Sequence, residues 1–155
     1  MKLSETEIEA IRHEMTFYED PGAATIEALK VVQEHRGWVS DEVLEAAAGV
    51  VGVTPTQMEA VATFYNLIFR QPVGRHVIMI CDSISCYLTG YERILGHLKK
   101  TLGIEFGQTT PDNRFTLLPI CCLGNCGNAP AMRINEDYHG QLTEERVDAI
   151  LAEYP

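Results

Sequence analysis

No stretch of this sequence strings together the roughly 18 apolar residues that a membrane-spanning helix needs. The first residues, MKLSETEIEA, are acidic and lack the apolar centre of a secretory signal. Positive charge is scarce: 12 Lys and Arg stand against 22 Asp and Glu, for a net charge of -10. That balance disfavours nucleic acid and anionic lipid as partners and favours a mixed or basic protein surface. Neither G-x-G-x-x-G nor G-x-x-x-x-G-K-[ST] occurs, so no nucleotide-phosphate loop is expected. C-x-x-C is missing too, which excludes a thioredoxin-type dithiol. Internal repeats and low-complexity segments are also absent.

What the sequence does have is cysteine in pairs. Cys81 and Cys86 form C-x4-C in CDSISCYLTG, and Cys122 and Cys126 form C-x3-C in CCLGNCGNAP. Five cysteines without an export signal imply a reducing compartment, where thiols act as ligands or redox groups. The residues between the pairs, Ser83, Ser85, Gly124 and Asn125, followed by Gly127, are small or flexible. They let backbone N–H groups approach an anionic sulfur centre. Together these features point to four thiolates holding one [2Fe–2S] cluster, with electron transfer as the task.

Hydrophobic residues make up 46% of the 155, ample for one domain or two small ones. The first half reads as four short amphipathic helices. Ser4 and Glu7 make a capping box for the first, with Ile8, Ile11, Met15 and Tyr18 on one face. Asp20 and Pro21 open the second, which Gly37 ends; Ser40 opens the third, which Gly52 ends. Thr54 to Gln57 is another capping box, and Met58, Val61, Ala62 and Tyr65 line the fourth helix.

The pattern changes near residues 71–74. HVIMI, residues 76–80, is a continuous apolar run suited to a strand buried on both faces. Residues 90–102 read as a helix and 115–120 as a second strand, with Pro119 near its end. Residues 131–135 and 138–142 make a hairpin, and Thr143 caps a last helix. A β-α-β crossover makes the first two strands parallel. Both cysteine pairs follow the C-terminal ends of those strands, where ligand sites of α/β sheets lie.

Other centres fail on spacing. A plant-type ferredoxin needs a third cysteine at position 89, which is Thr, and C-x2-C-x2-C is absent. A Rieske centre needs two histidines, and the nearby His97 lies inside a predicted helix. Structural zinc competes, because four thiolates suit it equally. Cys121 and Cys122 are adjacent at a strand end, so only one can face the site. The residues alone do not choose between them.

The runs CDSISCYLTG, LPICCLGNCGNAP and GVTPTQMEAVATFYNLIFRQPVGRHVI resemble the E-subunit family of bacterial NADH–quinone oxidoreductase, respiratory complex I. The resemblance covers nearly the whole chain, and no ligand position departs from the family pattern. It implies an α+β fold: a helical bundle over residues 1–72, then a thioredoxin-like α/β [2Fe–2S] ferredoxin domain over 73–155. It implies Cys81, Cys86, Cys122 and Cys126 as ligands and leaves Cys121 free. It implies no catalytic residue in this chain and one [2Fe–2S] cluster as its cofactor. FMN and NADH belong to a flavoprotein partner, with the neighbouring multi-cluster iron–sulfur subunit as a second contact. The implied place is cytoplasmic, in the peripheral arm of an inner-membrane complex. Related subunits serve soluble NAD-linked hydrogenases and formate dehydrogenases; the rival outside this class is a zinc-stapled adaptor.

The remaining candidates have plainer readings. Phe64, Tyr65 and Phe69 could form a docking patch, but at helical spacing such residues are more often core. The five histidines are scattered and read as structural or exposed, and Glu92, Glu144 and Glu145 as solvated. Whether Pro130 follows a cis bond is open from sequence.

Overall fold

Ser4 and Glu7 cap each other's backbone at the start of α1 (Glu5–Met15) in the computed structural model, which describes residues 2–155. The chain divides into two units, the first ending at Pro72 and the second spanning Val73–Pro155. In the first, α1 is followed by α2 (Thr25–Arg36), α3 (Asp41–Val51) and α4 (Pro55–Phe64). Their core gathers Ile11, Leu29, Val32, Val43, Leu44 and Met58, all essentially buried. Thr54 and Gln57 repeat the reciprocal cap at α4.

Three sequence expectations change here. Pro21 opens a single 3-10 turn, Pro21–Ala24, and the α-helix starts only at Thr25. Asp20 accepts from the Gly22 N–H at 2.9 Å, a tight-turn bond that serves the 3-10 geometry. Tyr18 does not join the α1 face. The helix stops at Met15, the Thr16 hydroxyl caps the His13 carbonyl at 2.7 Å, and Tyr18 is exposed. Phe64 and Tyr65 are not core: they are 78% and 47% exposed. The cause is polar. Gln33 donates to the Leu67 carbonyl at 2.7 Å and accepts from the Phe69 N–H at 2.6 Å, drawing residues 67–69 back over α2. The chain must leave the helix at Tyr65 to reach it.

An ion pair ties α1 to α2. The Arg36 guanidinium grips the buried Glu7 carboxylate with bonds of 2.5 and 2.7 Å, and Ser4 donates to it from backbone and hydroxyl. Arg36 holds the Glu7 carboxyl well down, from 4.5 to about 2, with the Ser4 bonds assisting against the opposing effect of burial.

The second unit contains β1 (His76–Cys81), α5 (Ile84–Leu88), α6 (Tyr91–Leu102), β2 (Phe115–Ile120), β3 (Met132–Ile134), β4 (Asp137–His139) and α7 (Glu144–Ala152). The sheet order is β2-β1-β3-β4. β1 runs parallel to β2 and antiparallel to β3. A strand paired on both sides suits the apolar run of 76–80, whose last four residues are buried. Pro119 is tolerated because β2 is the sheet edge. Ile78, Ile80, Leu117, Met132 and Ile134 build a core with Ile94 and Leu98 of α6 and Val147 of α7.

Two details differ from expectation. The five-residue helix α5 fills what reads as loop. The hairpin strands are also shorter, because the chain after His139 bonds elsewhere. Gln141 and Leu142 donate to the carbonyls of Asn128 and Pro130 at 2.5 and 3.1 Å. The Ala129–Pro130 bond is cis. His97 is structural: it pairs with Asp148 of α7 at 2.7 Å.

Candidate metal centre

Strand order brings the cysteine segments together. Cys81 ends β1, and its register partner Ile120 ends the parallel β2, so Cys121 and Cys122 leave from the same sheet edge. The chain departs β2 on one side of β1 and re-enters at β3 on the other. The loop of residues 121–131 therefore passes over the end of β1, where Cys81 lies. Two backbone bonds fix the junction. The Cys81 N–H donates to Ala131 and the Asp82 N–H to Ile120, each at 3.1 Å.

The pairs have different surroundings. Cys81 and Cys86 are buried beside Ala131, whereas Cys121, Cys122 and Cys126 are exposed. Cys86 sits on α5 and shares one buried cluster with Cys81, the last residue of β1. Burial pushes the Cys86 thiol up to about 11, and a hydrogen bond with Cys81 adds to the rise. The Ala131 N–H donates to the Cys86 sulfur and pulls the other way, while the charge of Cys126 is close enough to contribute. In the exposed loop the Gly124 N–H donates to the Cys122 sulfur at 3.3 Å. Gly124 has φ of +71°, which favours glycine.

Four thiols, two of them already accepting backbone N–H bonds, have the chemistry of an iron–sulfur cradle: soft anionic ligands with donors that offset their charge. Among the described residues no three His, Cys, Asp or Glu side chains close around a single ion position.

Residues 11–155 match the family model of the thioredoxin-like [2Fe–2S] ferredoxins. The chain belongs to this family. It is similar to the E subunit of the NADH-quinone oxidoreductase of Pseudomonas aeruginosa, with 56% identity over 98% of this chain and 92% of that protein. To the E subunit of the Escherichia coli K12 enzyme the identity is 57%, covering 99% and 92%. Among solved structures, an NAD+-reducing [NiFe]-hydrogenase in the H2-reduced state superposes with a TM-score of 0.72 at 27% identity. That match covers 87% of this chain but only 22% of the longer hydrogenase chain.

Sequence reasoning alone missed Ala131. It is a backbone contact twice over, accepting from Cys81 and donating to Cys86. Its signal is faint: a small residue placed where the chain re-enters the sheet beside β1. The apolar surface of α5 was missed too. Ile84, Tyr87 and Leu88 are exposed next to the buried Cys86.

Proposed function

We propose that this chain is the [2Fe–2S] electron-transfer subunit of an NADH–quinone oxidoreductase, with Cys81, Cys86, Cys122 and Cys126 as ligands. It exchanges electrons with the FMN of an NADH-oxidising flavoprotein subunit. The observation that carries the reading is near-full-length identity above one half to two E subunits of that enzyme, in a chain whose cysteine pairs share one sheet edge. Bound there, a [2Fe–2S] centre supplies one-electron chemistry. The chain's own residues do the rest. Burial of Cys81 and Cys86 keeps water from one side of the site. The N–H groups of Ala131 and Gly124 offset thiolate charge and favour the reduced state.

The chain carries no nucleotide loop, so flavin and nicotinamide belong to the partner. Among the described residues no helix is long and apolar enough to cross a membrane. That suits a place in the peripheral arm, on the cytoplasmic side, beside the multi-cluster iron–sulfur subunit. The exposed Phe64, Tyr65 and Leu67 offer apolar surface for such contacts. The hydrogenase likeness favours a second reading, the equivalent subunit of a soluble NAD-linked hydrogenase.

Iron and acid-labile sulfide analysis of anaerobically purified protein tests the cluster. About two irons and two sulfides per chain are expected, with an S = 1/2 signal only after reduction. The expected potential is low, on the order of a few hundred millivolts negative. A colourless protein containing zinc and no iron would establish the stapled adaptor instead.

A further inference from the structure

Gly140 lies far beyond the last cysteine in sequence, yet it touches the loop that carries Cys126. A Cβ added there would sit 2.5 Å from Asn128 Cβ and 2.6 Å from the Asn128 carbonyl oxygen. A non-bonded Cβ does not tolerate either distance, and the backbone oxygen cannot rotate away. The requirement is for space, since Gly140 has no positive φ. The next two residues bond to the same loop. Gln141 donates to the Asn128 carbonyl at 2.5 Å and adopts φ of +51°, rare outside glycine. Leu142 donates to the Pro130 carbonyl at 3.1 Å and buries its side chain in the sheet core. Across the contact, the turn Cys126–Asn128 is closed by the Asn128 N–H on the Asn125 carbonyl and by the Asn125–Asn128 side-chain bond.

We propose that Gly140, Gln141 and Leu142 form a backbone clamp that sets the position of Cys126, with Gly140 as a positioning residue of the metal centre. The proposal rests on reading Cys126 as a ligand. The loop needs such a clamp. Cys122 and Cys126 are exposed, so side-chain packing does not hold them. The loop is anchored at one end by β2 and at the other by Pro130 and Ala131. Between those ends Asn128 is pinned by Gly140 and Gln141, and through Leu142 the strain of any displacement reaches the core. Groups that orient ligands from outside the coordination sphere tune both affinity and electronic structure.

The test uses the full chain loaded with its cluster: wild type, Gly140→Ala and Gly96→Ala. Gly96 lies in α6 of the same unit, and a Cβ there meets nothing within 4 Å. Gly140→Ala should shift the g-values of the reduced cluster and release iron to a chelator about tenfold or more faster. Gly96→Ala should match wild type in both. Wild-type g-values and release rate in Gly140→Ala overturn the clamp, as do equal changes in both variants. Hydrogen exchange on the unsubstituted chain guards against a variant that fails to fold. The amides of Gln141 and Leu142 should be protected in the loaded chain and lose protection about tenfold when the cluster is removed. Free exchange of these amides in the loaded chain also overturns the clamp. A wild-type chain that holds no iron overturns the cluster reading itself, and the proposal with it.

Discussion

Cys121 and Cys122 are neighbours with similar exposure but different bonding. Only Cys122 receives a backbone N–H at its sulfur, from Gly124, in the two-residue reach that suits a thiolate ligand. Serine at Cys81, Cys86, Cys122 or Cys126 should strip or badly destabilise the cluster, because a hydroxyl is a poor ligand for iron. Cys121→Ser should keep the visible spectrum. A Cys121 variant that loses its colour, beside a Cys122 variant that keeps it, would reverse the assignment. The spacing of the pairs was plain in the sequence, because ligand pairs must recur at short fixed intervals. The choice between adjacent cysteines was not: Cys122 is proposed from the family resemblance, and the glycine φ and sulfur acceptor that support it are announced by no residue pattern. Ala131 and Gly140 were illegible for a related reason. They act through backbone atoms and through lack of bulk, so their side chains carry no chemical signature.

At the scale of elements, α1 and α2 depend on one buried ion pair. Arg36→Ala leaves the Glu7 carboxylate without its main partner and should destabilise the helical unit by about 3 kcal/mol. Glu7 also makes the unit acid-sensitive. Its carboxyl is held at about 2, chiefly by Arg36, against an ordinary 4.5. That stabilisation, on the order of 2–3 kcal/mol, is fully present above about pH 5 and is lost as pH falls through 2. Urea unfolding at pH 7, 4 and 2.5, followed by the fluorescence of the single tryptophan, Trp38, checks both statements. Glu7→Gln should flatten the acid dependence; an unchanged slope in that variant would remove Glu7 as its source. Both capping boxes and the central strand were legible, since they rest on local pairings and on a continuous apolar run. Helix α5 was hidden because five residues show no periodicity and its cap makes no side-chain bond. The outward turn of Phe64 and Tyr65 was hidden because it is dictated by Gln33, distant in sequence.

For the whole molecule, the division of labour is testable. The chain alone should not pass electrons from NADH to an artificial acceptor, and activity should appear only with a flavoprotein subunit. A truncation starting near Arg75 should keep the cluster, whose proposed ligands all lie in the second unit, but bind the flavoprotein weakly. Binding as tight as the full chain's would remove the helical unit from the contact. The unequal burial of the cysteines carries a separate consequence, for how the protein ages. Peroxide and other oxidants meet Cys122 and Cys126, with Cys121, before the buried pair, and stepwise oxidation to acids would end the service of the first two as the proposed ligands. Neither the core of the four helices nor the core under the sheet draws a residue from that loop. A chain damaged there would lose its colour but keep its fold and its helical surface. It would still take its seat in an assembly and interrupt electron flow from within, beyond the notice of any quality control that recognises only unfolded protein.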